Sequence, residues 1–252
     1  MRLLAALIFF TRLPFWRLRE VPTECFKHVV PYWPLVGWLT GGVTAAVLWC
    51  CGQVMPTATA WVIALTCRLL ITGCLHEDGL ADFLDGFGGG TSRERILTIM
   101  KDSHIGTYGV IGLIIYFLLL FQLSSLPLQW LCLLVVCGDC WSKCMASQLI
   151  NLLPYARKEE ESKARVIYRR MSLGEEVVAL VGGLLPLLGL MATGRCPSIF
   201  WLALLAPLIP FGLLTLLMKR RIQGYTGDCC GALFLLCELS FYLACLVIQP
   251  LS

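Results

Sequence analysis

Seven apolar runs, each near the length that crosses a bilayer, set the frame for this chain. They lie at about 33–55, 58–75, 107–123, 128–150, 175–193, 198–218 and 229–248. A spanning helix takes about 20 apolar residues, and hydrocarbon admits only helices or closed barrels because every backbone group must be paired. The chain is 58% hydrophobic and 14% charged, with a mean hydropathy of +0.78, which argues against a soluble fold. The reading is all-α: a polytopic integral membrane bundle of about seven transmembrane helices, forming a single domain over 1–252. Pro186 stands in the fifth run, and Pro207 and Pro210 interrupt the sixth, where a kink is expected. The start, Met1 to Phe10, has a short apolar core and no small-x-small cleavage site, so an interfacial helix is expected rather than a cleaved signal.

Charge placement tests this topology. Of 20 Lys and Arg, 16 fall in four connecting segments, 11–32, 76–106, 151–174 and 219–228. Seven spans put those four segments on one side, and the positive-inside rule makes that side cytoplasmic. The N-terminus and the working loops are therefore expected in the cytosol. Segment 151–174 mixes Arg157, Lys158, Lys163, Arg165, Arg169 and Arg170 with three Glu, and reads as a surface helix on anionic headgroups.

The acids gather on the same face. Four of them, Glu77, Asp78, Asp82 and Asp85, occupy nine residues at the mouth of the second run. Ionised groups at membrane depth are costly and mark function. If the second span continues as a helix, Asp78, Asp82 and Asp85 share a stripe about 60° wide, while Glu77 points elsewhere. Hard carboxylate oxygens suit magnesium, manganese or calcium rather than zinc. The bland alternative is a solvated acidic helix end, against which stand the apolar neighbours Leu80, Ala81, Phe83 and Leu84. Magnesium held this way completes its shell with water and substrate phosphate.

The flanking residues suit an anionic substrate. Gly88-Gly89-Gly90 leads to Thr91 and Glu94, spaced as a capping box, and to a short helix with Arg93, Arg95 and Lys101. Asp102 follows, and Asp228 stands before the last run; each reads equally as a site residue or a helix cap. Asp139 and Lys143, at i and i+4, are expected to neutralise each other, and Glu238 stands isolated. Gly37 and Gly41 form a GxxxG packing face. Of fourteen cysteines most lie in apolar runs, and the Cys137–Cys140 pair with Cys144 reads as helix packing rather than a metal or redox site.

The stretch Thr72–Gly86, followed by Lys101-Asp102-Ser103 and Ile105-Gly106, resembles the cobalamin synthase (adenosylcobinamide-GDP ribazoletransferase) family. Thr11-Arg12-Leu13-Pro14, Pro154-Tyr155-Ala156-Arg157 and Thr226-Gly227-Asp228 look like the outer motifs of that family, in order. The resemblance implies a magnesium-dependent phosphotransferase in a bacterial inner membrane. The 5′-hydroxyl of α-ribazole, or its phosphate ester, attacks the cobinamide-side phosphorus of adenosylcobinamide-GDP, and GMP leaves. It implies metal ligands Asp78, Asp82 and Asp85, a base among Asp82, Asp102 and Asp228, and substrate contacts at Arg12, His76, Lys101, Arg157 and Thr226. Membrane lipid surrounds the bundle, a homodimer is a candidate assembly, and nucleic acid is not an expected partner. The chain departs from the family pattern at Glu77, His104 and Lys143 and at Cys229-Cys230. Rival readings are a CDP-alcohol phosphotransferase or prenyltransferase with an Asp-rich magnesium site, and a divalent-cation transporter. A transporter should carry acids near the midplane and repeated halves.

Overall fold

The computed structural model describes residues 1–157, 167–194, 196 and 200–248. A short helix α1 (Arg2–Phe10) precedes α2 (Trp33–Gly52), α3 (Thr57–Thr72), α4 (Leu75–Gly89) and α5 (Arg93–Ile99). Then come α6 (Thr107–Phe121), α7 (Leu128–Ser147) and α8 (Leu149–Leu152). The last are α9 (Leu173–Ala192), α10 (Trp201–Leu205), α11 (Leu208–Arg221) and α12 (Gly227–Ile248). Among the described residues there is no strand, and one isolated parallel bridge joins Tyr155 to Tyr225. Six helical stretches are long and apolar enough to cross a membrane, and the α3–α4 pair raises the number to seven if it counts as one span. The multi-pass helical architecture expected from the sequence is therefore present.

Helices α7 and α12 form the interior. In their span windows 72% and 67% of residues are buried, against 17% in the stretch from Trp201 to Arg221. Small residues let α2 close on α7. A Cβ at Gly37 would lie 3.0 Å from the Cys140 Cα, and one at Gly41 would lie 3.1 Å from the Val136 Cα. The GxxxG face is thus a packing face, and Cys140 belongs to it. The sixth expected span breaks between α10 and α11, next to Pro207.

Two buried charged groups tie the interior together. Lys143 pairs with Asp139 one turn earlier, and Thr40 of α2 joins both: its hydroxyl donates to Asp139 at 2.7 Å and accepts from Lys143 Nζ at 2.7 Å. Glu238 of α12 is not isolated. Arg68 of α3 donates to both of its carboxylate oxygens, at 2.6 and 2.9 Å, and the Tyr242 hydroxyl adds a bond at 3.0 Å.

The second expected span departs from the reading of one continuous helix. At Gly73 and Cys74 the backbone turns left-handed, with φ of 64° and 56°, and α4 leaves α3 at 88°. Glycine adopts that conformation without a Cβ clash. The acids therefore ride on a helix of their own rather than on the end of a transmembrane rod. Of segment 151–174, α8 ends at Leu152 and the described residues 153–157 and 167–172 are not helical, while 158–166 lie outside the described residues. Lys158, Lys163 and Arg165 lie outside the described residues. The cap of α5 is Ser92, whose Oγ accepts from the Arg95 amide at 3.2 Å, rather than Thr91. A reciprocal capping box does occur, at Ser172 and Glu175 ahead of α9.

The four basic segments meet at one end of the bundle. Arg93 donates to the carbonyls of Ile222 and Ala156 at 2.9 and 2.7 Å, and Arg221 donates to that of Gly90 at 2.7 Å. The Arg169 amide donates to the Lys27 carbonyl at 3.0 Å.

Candidate active site

Helix α4 crosses the start of α12 at two glycines. A Cβ at Gly79 would lie 3.0 Å from the Asp228 carbonyl oxygen, and one at Gly231 would lie 3.3 Å from the His76 Cα. This approach of two backbones brings Asp228 to α4. Asp78 and Asp82 stand one turn apart on α4, and each of the three side chains offers a carboxylate oxygen within 4.8 Å of the others. Asp78 is exposed, and Asp82 and Asp228 are half-buried, so the group is open on one side. Three hard oxygen donors converging from two helices match the donor set of a magnesium-type dication.

Asp85 is not part of this group. It is buried, and its two oxygens accept the amides of Gly106 and Gly109 at 2.7 and 2.8 Å. It thus supplies the N-terminal cap that α6 lacks from its own sequence, where an acid also meets the positive end of the helix dipole. The expected stripe of Asp78, Asp82 and Asp85 becomes a trio of Asp78, Asp82 and Asp228. Glu77 is buried and stays outside the trio.

A pocket opens beside the trio. Asp78 and Asp228 line it together with Arg157, and Phe9, Phe10, Trp33 and Tyr168 give it aromatic walls. Phe10 stacks on Trp33 with centroids 5.0 Å apart, and Phe9 meets Tyr168 edge-on at 6.0 Å. Burial pushes the Tyr168 and Tyr225 phenols up, so both remain neutral. Arg157 is buried, donates to the Leu97 carbonyl at 3.0 Å, and also lines a second recess with Arg93, Lys101 and Asp102. The bridge from Tyr155 to Tyr225 sets it there: the Ala156 amide donates to the Tyr225 carbonyl at 2.8 Å. The site thus has three carboxylates, one arginine at the junction of two recesses, and a basic outer recess.

The sequence profile of cobalamin-5-phosphate synthase matches residues 2–246. The chain belongs to that family. A protein of Leptothrix cholodnii named adenosylcobinamide-GDP ribazoletransferase is 38% identical over 94% of this chain and 92% of its own length. Proteins of the same name from Shewanella amazonensis and Shewanella putrefaciens are 38% and 36% identical, over 99% and 97% of this chain. No solved structure matches it.

In this family member the remaining expected residues fall in three places around the trio. His76, one turn before Gly79, lines the aromatic pocket. Lys101 and Asp102 line the second recess. Asp102 is exposed there, and the hydrogen bonds from the His104 ring and amide hold its carboxyl below the ordinary range. Arg12 and Thr226 line neither recess. Arg12 is exposed, lies over the Gly73 turn and donates its amide to the Ile71 carbonyl at 2.6 Å. Thr226 is fully buried. Its hydroxyl accepts from the Cys229 amide at 3.3 Å and lies 3.4 Å from the Asp228 carboxylate, so it acts on the site through Asp228. Sequence reasoning missed the aromatic walls and the Arg68–Glu238 pair. The walls come from segments more than 130 residues apart, Phe9–Phe10 and Tyr168, which no local spacing connects.

Proposed function

We infer that this chain is an adenosylcobinamide-GDP ribazoletransferase working at the cytoplasmic face of a bacterial inner membrane. Family membership and the printed names of the relatives support the reaction. The observation that carries the reading is the convergence of Asp78, Asp82 and Asp228 beside Arg157. The basic residues gathered at that end of the bundle support a cytosolic orientation.

The chemistry is a displacement at phosphorus. A free ribose hydroxyl oxygen of α-ribazole, or of its 5′-phosphate, bonds to the cobinamide-side phosphorus. The bond from that phosphorus to the bridging oxygen breaks, and GMP leaves with the electron pair. Such transfer asks the protein for positioning and charge neutralisation rather than covalent work. A magnesium ion bound by Asp78, Asp82 and Asp228 would supply positive charge against the diphosphate. Arg157 offers a planar fork to phosphate oxygens between the two recesses. Lys101 adds a point charge in the outer recess. A carboxylate of the trio takes the hydroxyl proton, and Thr226 steadies the Asp228 rotamer from behind.

The test uses purified protein in nanodiscs given adenosylcobinamide-GDP and α-ribazole, with and without Mg²⁺. GMP release that depends on both substrates and on the metal is expected. No release, with turnover of a CDP-activated lipid or an isoprenoid diphosphate instead, would overturn the reading.

A further inference from the structure

We propose that the aromatic pocket beside Asp78 and Asp228 takes the flat base of the acceptor nucleoside, with His76 Nε2 as its in-plane hydrogen-bond partner. The assignment rests on the ribazoletransferase reading and decides which of the two substrates enters which recess. Two observations carry it. The first is the wall: Phe9, Phe10, Trp33 and Tyr168 present ring faces and edges, a surface on which a planar heterocycle stacks. The second is a buried polar atom. His76 is 4% exposed, and its ring is packed between Trp33 at 5.4 Å and Phe234 at 4.9 Å. Its Nε2 is buried and meets no hydrogen-bond partner among the described residues. Buried polar groups are almost always paired, so one without a partner in a pocket wall is a candidate for a ligand contact.

The count of hydrogen-bonding groups separates the two candidate bases. Ribazole is a riboside of a benzimidazole, whose rings carry a single free nitrogen and that nitrogen accepts. The Nε2–H tautomer of His76 matches it, and the Trp33 Nε1–H, also buried without a partner among the described residues, is a second donor in the same wall. Guanine, on the donor, carries three acceptors and two donor groups, and the aromatic part of the wall would leave most of them unmatched. The corrin macrocycle is far too large for the pocket. With the base against the rings, the ribose points to Asp78 and Asp228 on the pocket margin, where a free ribose hydroxyl meets the cobinamide-side phosphorus. The donor then lies across Arg157, with its guanylyl part toward Lys101 in the outer recess.

His76→Phe keeps an aromatic ring of similar size and deletes the nitrogen. The KM for α-ribazole should rise about tenfold, equal to about 1.4 kcal/mol, while the KM for adenosylcobinamide-GDP stays within about twofold. On the substrate side, 1-α-ribosylindole replaces the acceptor nitrogen by C–H. The native enzyme should bind it about tenfold less well than α-ribazole, and His76→Phe should no longer distinguish the two. Equal KM values for the two acceptors on the native enzyme overturn the proposal. So does a rise confined to the KM of the GDP-linked substrate, which would give the pocket to guanine. Should the variant fail to fold, the acceptor comparison on the native enzyme decides alone. Absence of GMP release from the native enzyme with its natural pair would instead reject the underlying ribazoletransferase reading.

Discussion

Gly79 packs its bare Cα against the main chain of Asp228. A methyl group there would stand 3.0 Å from the Asp228 carbonyl oxygen and 3.1 Å from its Cα. The neighbour is backbone, which cannot swing aside as a side chain can. Gly79→Ala should therefore push α4 off α12 and spread the carboxylate trio. Small misplacements near reacting groups carry large rate costs, and a fall in kcat/KM of about tenfold to 100-fold is expected. Gly42→Ala, with nothing within 4 Å, serves as the control and should leave the rate unchanged. Equal rates in both variants would remove the crossing from the account.

The two halves of the acid cluster should respond differently to loss of charge. Asp82→Asn and Asp228→Asn take an anion out of the converging group, and turnover should drop by about 100-fold or more with weaker Mg²⁺ binding. Asp85→Asn leaves that group intact. It keeps one acceptor oxygen for two amides and turns an NH₂ toward one of them, which costs about 1–3 kcal/mol. A lower unfolding temperature with unchanged Mg²⁺ affinity is the expected pattern. Calorimetric Mg²⁺ titration beside thermal unfolding separates the two outcomes.

The part of this architecture that repeats along the chain was open to sequence reasoning, and the part that depends on crossings was not. Apolar run length predicts the spans, and the four basic segments do meet at one end. The i, i+4 spacing of Asp139 and Lys143 names a pair that forms. Helical periodicity also puts Asp78 and Asp82 on one face, since they share α4. It fails at Asp85, because a stripe on one helix says nothing about the amides of Gly106 and Gly109 on the next. Asp228 and Arg68 find their partners across 150 and 170 residues of chain respectively, through helix crossings that spacing does not encode. Thr72-Gly73 hints at a helix end, yet an 88° turn rather than a soft bend needs a second left-handed residue, Cys74.

Asp102 offers a pH test outside the membrane. The His104 ring and amide hold its carboxyl below the usual carboxylate range. A depressed value means the interaction is present above the ordinary range of about 3.9 and is lost only as pH falls through the lower, folded value. His104→Ala should return the Asp102 carboxyl upward toward the ordinary range. Carbon NMR of aspartate-labelled protein follows the titration, and an unmoved midpoint would remove His104 as the cause. Because Asp102 lines the outer recess, Asp102→Asn should act on the donor KM and leave Mg²⁺ affinity unchanged.

Arg68 and Glu238 form the sealed counterpart to the open trio. Their two hydrogen bonds, at 2.6 and 2.9 Å, join α3 to α12, and both residues are buried. Tyr242 donates to the same carboxylate, and the Tyr116 hydroxyl accepts from Arg68 at 3.3 Å. Removing one partner leaves a charge with no water to receive it. Arg68→Met should cost about 3–5 kcal/mol, whereas replacing both by apolar residues of similar volume is often close to neutral. The double variant Arg68→Met/Glu238→Leu should thus recover most of the loss, apart from the Tyr242 hydroxyl, which keeps its contact with the Val135 carbonyl at 3.3 Å. Unfolding in bicelles measures all three proteins. A double variant no more stable than Arg68→Met would mean that the cost lies in lost packing at the helix crossing rather than in the stranded carboxylate.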